Sequence, residues 1–385
     1  MQLDKLAAPS SKKRFAIRTK QNSLHNSSQI DFSTFVSTYK ERSVYDWDIL
    51  LRDYDPALST SWTCGRPDST SRMTKLIFIH VYKTAGTTFR FLFYIYAQRC
   101  RAGYAALMGC SGLSPDLTKQ EGQWTNGFGR RSKNCAIERS RTREGQESGF
   151  LYMNATYLKN EIDMLIGHLP IGAHMHWEDQ YSSRIVNAQY ISFPLQKYVS
   201  GVIYSTKRKS WSVEETATEI VSQVRHARAK NKYYEGYSAY FLTPLQKSEV
   251  YPQKGEKPPL EYRVQLILSN LVEFKVVVGV VEHMSHSLDL LRHVLDSSGE
   301  LENLFQSVDT FSVRNTTAKA LEDTSTIVLN KSSISTSSVI EHIRKDSDGL
   351  ARLQEFLRYD QMIYDFATEL HRRQHKWLQH TRKKS

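Results

Sequence analysis

The sequence predicts an α/β protein built on a parallel sheet flanked by helices, and three observations predict it. The stretch LIFIHVYKTAGTTFRFLF, residues 76–93, passes from a strand-like run (Leu76, Ile77, Phe78, Ile79, Val81) through a small-residue turn into a helix-like apolar face (Phe89, Phe91, Leu92, Phe93). Further apolar runs, AQYIS at 188–192 and FKVVVGVV at 274–281, each adjoin a helical pattern, and buried strands alternating with helices mark a parallel sheet. With 385 residues, 40% hydrophobic and 11% aromatic, the chain is long enough to bury a large core.

Taken in order, residues 1–72 read as an N-terminal extension, partly disordered and rich in Ser, Thr, Asn and charge. Its ordered pieces are a short helix near 32–42 and the aromatic cluster Tyr45, Trp47 and Tyr54, suited to packing on the main body. Residues 73–385 read as the main domain. After its first helix comes a basic insertion, about 99–149, with little periodicity and, from Arg99 to Arg143, nine Lys or Arg against three Asp or Glu. Such a loop is either a solvated, partly disordered face or an acceptor-binding surface. Order returns with a short helical segment at 157–168 that leads into MLIGHLP, then the strand at 188–192 and an amphipathic helix at 195–207. Helical patterns follow at 213–230, 261–272 and 285–295. The closing segment, 350–377, places Leu353, Phe356, Leu357, Met362, Ile363, Phe366 and Leu370 at helical spacing.

A net charge of +12 favours polyanionic partners, among them nucleic acid, acidic membrane, anionic glycans and nucleotide cofactors, without choosing between them. No segment approaches the 18 apolar residues of a transmembrane span, and the first twenty residues show no apolar signal core. Four cysteines (Cys64, Cys100, Cys110, Cys135) lie before residue 140 and permit two disulfides or four buried thiols. Asn-x-Ser/Thr sequons at Asn26, Asn154, Asn315 and Asn330 fit a secretory route. No metal is expected: there is no C-x-x-C pair, and no carboxylate or cysteine is spaced to complete a set with His80, His174 and His176.

The turn Lys83-Thr84-Ala85-Gly86-Thr87-Thr88 brings unpaired amides, a positive dipole end, hydroxyls and an ammonium to one place, where phosphate or sulfate is the natural guest. A Walker A loop sets its glycines before the Lys-Ser/Thr pair, whereas here the lysine precedes the glycine. This inverted order resembles the loop of carbohydrate sulfotransferases that use 3′-phosphoadenosine 5′-phosphosulfate (PAPS), in particular the uronosyl 2-O-sulfotransferase-like group. Tyr82 stands where that family usually has proline.

Four more segments extend the resemblance in family order. IGHLP puts His168 at the place of the family's catalytic base. SFPLQKYVSGVIY resembles the 3′-phosphate segment through Pro194, Leu195, Ser200, Gly201 and Tyr204, with Lys197 at the second arginine, but Ser192 replaces the first arginine and Phe193 the aspartate. Residues 276–291 and 357–370 resemble the late core strand with its helix and the C-terminal helix.

The resemblance implies a P-loop-NTPase-like parallel sheet in the sulfotransferase fold. It also implies transfer of a sulfuryl group from PAPS to a hydroxyl of a carbohydrate acceptor, without a metal. Lys83 and His168 would be catalytic. Lys83, Thr84, Ala85, Gly86, Thr87, Thr88, Ser200 and Lys197 would hold the cofactor. Arginine grips phosphate bidentately and Ser192 cannot, so Lys197, Arg184 and Arg208 stand as replacements. The implied partner is an anionic glycan rather than nucleic acid, and the implied location is the Golgi lumen or secretory pathway. The alternative is a non-catalytic member of the fold that binds a glycan or phosphorylated ligand. An ATP-dependent kinase would need a lysine after the glycines.

Overall fold

A computed structural model of the protein describes residues 47–52, 54–56, 75–82, 84, 86–108, 113–115, 124–126, 136–141, 162–172, 185–206, 211–230, 232–250, 258–295 and 334–384. The chain divides into two compact units, Met1–Tyr45 and Asp46–Ser385, and every described residue belongs to the second. No helix among the described residues is long and apolar enough to cross a membrane.

Helix α1 (Trp47–Arg52) precedes the sheet. Strand β1 (Lys75–Ile79) is buried at all five positions and runs through the turn into α2 (Gly86–Arg99). Next come β2 (Tyr104–Met108), the hairpin β3 (Leu113–Pro115) and β4 (Trp124–Asn126), and then β5 (Ala136–Arg141). Strands β6 (Met164–Gly167) and β7 (Ile185–Ile191) complete the centre of the sheet. The order is β5-β2-β6-β1-β7-β8, where β8 is Val277–Val280. All neighbours are parallel except β5, which pairs antiparallel with β2. Five parallel strands flanked by helices make this an α/β protein, as the alternating pattern predicts.

The stretch expected to be an irregular insertion contributes more than loop. Its residues 104–108 are a core strand, with Tyr104, Ala105 and Ala106 each 1% exposed. Alanine carries none of the β-branched signal by which strands are recognised, so the pattern gave no sign of it.

Helix α2 buries Phe89, Leu92, Phe93 and Tyr96 against the sheet. There Phe89 stacks on Tyr190 of β7 at 4.0 Å between ring centroids, and Phe78 of β1 packs on Phe93 at 5.1 Å. The Tyr190 ring also explains Gly279 in β8: a Cβ there would meet ring carbons at 2.6 Å. The amino edge of the sheet is pinned by buried polar groups. The Lys75 ammonium donates to the Ile162 carbonyl at 2.6 Å, and an Asp163 carboxylate oxygen accepts from the Gly103 amide at 2.8 Å.

Beyond β7, helices α3 (Pro194–Thr206) and α4 (Val213–Ala229) build a second apolar cluster; Ser212 and Glu215 close a capping box at the start of α4. Short helices α5 (Ser238–Phe241) and α6 (Pro244–Val250) lead to α7 (Leu260–Glu273), and after β8 a 3-10 turn, Val281–His283, opens α8 (Met284–Leu295). Helices α9 (Thr336–Arg344) and α10 (Ser347–Phe356) complete the second cluster. The last helix, α11 (Arg358–Lys384), covers the edge strand β8: the Gln374 side chain accepts from the Val278 amide at 3.0 Å and donates to the Val276 carbonyl at 2.6 Å. An otherwise open sheet edge is thereby satisfied. Two members of the aromatic cluster ahead of the sheet pack on α11: Trp47 meets Phe366 edge-on at 5.5 Å, and Gln374 donates to the Tyr54 hydroxyl at 2.7 Å, while Tyr45 lies outside the described residues.

Candidate functional site

Sheet order decides where a ligand crevice opens. The connection leaving β1 runs toward β2 and the one leaving β7 runs toward β8, in opposite directions from adjacent strands. In open α/β sheets ligands bind outside the carboxyl ends at such a switch point. The two segments flanking it are the turn from His80 to the start of α2 and the Ser192-Phe193 link into α3, the two stretches the sequence assigns to phosphates.

In the first of these, Gly86, Thr87 and Thr88 form the opening turn of α2, so their amides belong to the unpaired set at a helix start. Lys83 and Ala85 lie outside the described residues. Thr84 is 1% exposed and its hydroxyl donates to the Val81 carbonyl at 2.8 Å. Its side chain therefore shapes the turn, where a role in holding the cofactor was expected.

His168 follows β6 directly, and β6 lies beside β1 with Gly167 paired to Ile79. The parallel register therefore sets His80 and His168 side by side just past the strand ends. The His80 amide donates to the Gly167 carbonyl at 2.7 Å, and the two rings meet edge to face with centroids 4.5 Å apart. Both rings keep a buried nitrogen, His80 Nδ1 and His168 Nε2, without a hydrogen-bond partner among the described residues. Burial, then the Arg90 guanidinium, lowers His168 to about 4. Burial, then His168 and Arg90, drives His80 well below its ordinary value. Each is a neutral imidazole at pH 7, able to accept a proton. An arriving anion would offset the Arg90 charge and raise both.

An aromatic wall adjoins His168. The Tyr82 ring lies 6.4 Å from it and the Tyr240 ring 6.1 Å, and the Tyr82 amide donates to the Tyr240 hydroxyl at 3.3 Å. Tyr82 also meets Tyr204 of α3 at 5.8 Å and passes over Gly201, where a Cβ would stand 3.7 Å from its ring. The residue that replaces the usual proline thus links the first turn to α3.

The second segment is more closed. The Tyr237 hydroxyl donates to the Ser192 carbonyl at 2.5 Å and accepts from the Ser192 amide, while the Ser192 hydroxyl is buried without a partner among the described residues. The Phe193 amide, at the start of α3, donates to a Glu282 carboxylate oxygen at 2.8 Å, and Glu282 also accepts from the Tyr364 hydroxyl at 3.1 Å. Ser200 is half-buried in α3. Lys197, expected at the cofactor, is 2% exposed and places its ammonium 3.3 Å from Asp360 of α11. That ammonium also lies 4.0 Å from the centre of the Tyr237 ring. Burial pushes Lys197 down and Asp360 up, and each draws the other back toward its charged form. Lys197 is a fold element here, tying α3 to α11. The other two replacements considered for the missing arginine, Arg184 and Arg208, lie outside the described residues.

The structure thus joins His168 to the turn after β1 and directs Lys197 into the interior. Sequence reasoning missed His80 as its neighbour, Arg90 as the charge acting on both rings, and Glu282 at the start of α3. The repeated strand-then-histidine pattern, IFIH and LIGH, is the signal that pairs His80 with His168 once the two strands are taken as neighbours.

Fold and site together define an α/β protein with a candidate anion crevice at the carboxyl edge of a parallel sheet. Comparison with protein-family models, with curated proteins and with solved structures returns no match.

Proposed function

We propose that the protein is a sulfotransferase that moves a sulfuryl group from PAPS to a hydroxyl of a carbohydrate. The observation that carries this reading is the position of His168, a neutral imidazole at the carboxyl edge beside the turn that opens α2. When bound, the donor supplies an activated sulfuryl group on a phosphate leaving group. The acceptor oxygen forms a bond to sulfur as the bond from sulfur to the 5′-phosphate oxygen breaks. The acceptor proton passes to His168, and adenosine 3′,5′-bisphosphate departs. Amides at the start of α2 and the Lys83 ammonium would hold the charge that grows on the departing oxygen, the largest kind of contribution such a site makes.

Two further observations fit. The net charge of +12 suits an anionic glycan acceptor. Cys100, just after α2, is disulfide-bonded, with a partner outside the described residues, which suits an oxidising lumen such as the Golgi.

A second reading, a non-catalytic member of the fold binding a glycan or phosphorylated ligand, draws on the other segment. Ser192 stands in place of the arginine, Lys197 is bound to Asp360, and Glu282 sets a carboxylate against the Phe193 amide at the start of α3. Radiolabelled PAPS incubated with a panel of glycans decides between the two. Label should pass to an anionic glycan, and Lys83→Ala and His168→Ala should each lower transfer by about two to four orders of magnitude with unchanged melting. Transfer that survives His168→Ala removes the proposed base, and no transfer to any glycan favours the second reading.

A further inference from the structure

A row of aromatic rings leads from the proposed base to the surface. Its members come from separate parts of the chain: Tyr82 from the turn after β1, Tyr204 from the end of α3 and Tyr240 from α5. The Tyr82 ring lies 6.4 Å from His168 with 72° between the planes, and 5.8 Å from Tyr204 with 75°. Tyr204 is therefore one ring removed from His168. Backbone contacts hold this arrangement in place. The Tyr82 amide donates to the Tyr240 hydroxyl at 3.3 Å, and the Tyr240 carbonyl accepts from the Ile171 amide at 2.6 Å. On its other side the Tyr82 ring passes over Gly201 of α3, where a Cβ would stand 3.7 Å away.

Tyr204 is 48% exposed and is the one exposed large apolar side chain among the described residues. A single tyrosine on a surface needs no explanation. This one continues a row that ends on a neutral imidazole, whose buried Nε2 has no hydrogen-bond partner among the described residues. The ring that joins them, Tyr82, stands where the resembled family usually has proline, and a proline there would leave no aromatic ring between His168 and Tyr204.

A pyranose has an apolar face of C–H bonds and a polar rim of hydroxyls, so it packs flat on an aromatic ring while its rim turns to hydrogen-bonding groups. Two rings meeting at 75° offer it a floor and a wall. In sites of this make, aromatic surface supplies contact and a few placed polar groups fix orientation. Here the placed group is His168, and carboxylates on the sugar rim suit a chain of net charge +12.

We propose that Tyr204 and Tyr82 form the acceptor platform, receiving the apolar face of a pyranose unit of a uronate-bearing glycan and so presenting one of its hydroxyls to His168. The proposal rests on the sulfotransferase reading for the fate of that hydroxyl, and on the rings alone for the contact.

The test uses the full-length protein with PAPS and, as probes, size-defined oligosaccharides of desulfated heparin and of chondroitin. Tyr204→Ala should raise KM for the accepted oligosaccharide about tenfold while kcat falls far less, and Tyr204→Phe, which keeps the ring, should restore the parent value. Adenosine 3′,5′-bisphosphate should bind the parent and both variants alike. In the parent, bound oligosaccharide should shield Tyr204 from nitration by tetranitromethane, a readout that needs no variant to fold. An unchanged KM in Tyr204→Ala, or nitration of Tyr204 undiminished by either oligosaccharide, would overturn the proposal. A fall in bisphosphate affinity in Tyr204→Ala would overturn it too, by giving the ring to the donor's base. Oligosaccharide that binds a parent unable to transfer, and is lost in Tyr204→Ala, would refute the sulfotransferase reading and keep the platform.

Discussion

The proposed chemistry turns on His168. Its ring is held to about 4 by burial and by Arg90, against 6.5 for a free imidazole. Between those values the unfolded chain binds a proton at this residue that the folded chain does not. Stability therefore rises with pH across the window and is lost as pH falls from about 6.5 toward about 4. His80 acts in the same direction. The melting temperature should be lower at pH 5 than at pH 7, and His168→Gln should make that dependence shallower. A slope unchanged in His168→Gln would mean that this imidazole is not held neutral by the fold. The same residue shows what sequence can and cannot reveal. IGHLP marks His168 as a candidate base, but the partner that sits against it, His80, is 88 positions away and becomes visible only through the parallel register of β1 and β6.

Among the elements, α3 and α11 are joined by the buried pair Lys197 and Asp360, 163 residues apart in sequence. The resemblance of this segment to the family's 3′-phosphate segment implies a phosphate ligand at Lys197, and nothing local announces a carboxylate from the far end of the chain. The structure assigns it to packing, with the Tyr237 amide donating to the other Asp360 oxygen at 3.3 Å. Removing one member of such a pair strands the other in a low-dielectric interior. Lys197→Met should therefore cost about 3–5 kcal/mol in urea unfolding. Lys197→Met/Asp360→Asn, whose amide oxygen can still accept from Tyr237, should recover most of that loss. Binding of adenosine 3′,5′-bisphosphate should be retained in the double variant, whereas a large loss of affinity in a folded double variant would restore Lys197 as a ligand. Elements with strong apolar signals were legible: β1 as KLIFI, β8 within FKVVVGVV, and the helical closing segment, which the structure divides at Leu357 into α10 and α11. Strand β2, YAALM, was not, since two alanines become core only through the strands beside them.

At the scale of the whole molecule, the sheet order brings two sequence-distant turns to adjacent strand ends, the first marked for an anion by its residue types and the second by its resemblance to the 3′-phosphate segment. The α/β class follows from the alternation of strand and helix patterns, while the order of strands depends on pairings between segments up to about a hundred residues apart. The crevice is unequal: the start of α2 offers amides, while the start of α3 meets Glu282. Calorimetric titration with adenosine 3′,5′-bisphosphate, set against adenosine 5′-phosphate and repeated on Lys83→Ala, tests the central claim most directly. The account predicts micromolar-scale binding that weakens sharply without the 3′-phosphate and is lost in Lys83→Ala; no binding, or binding indifferent to both changes, would contradict it.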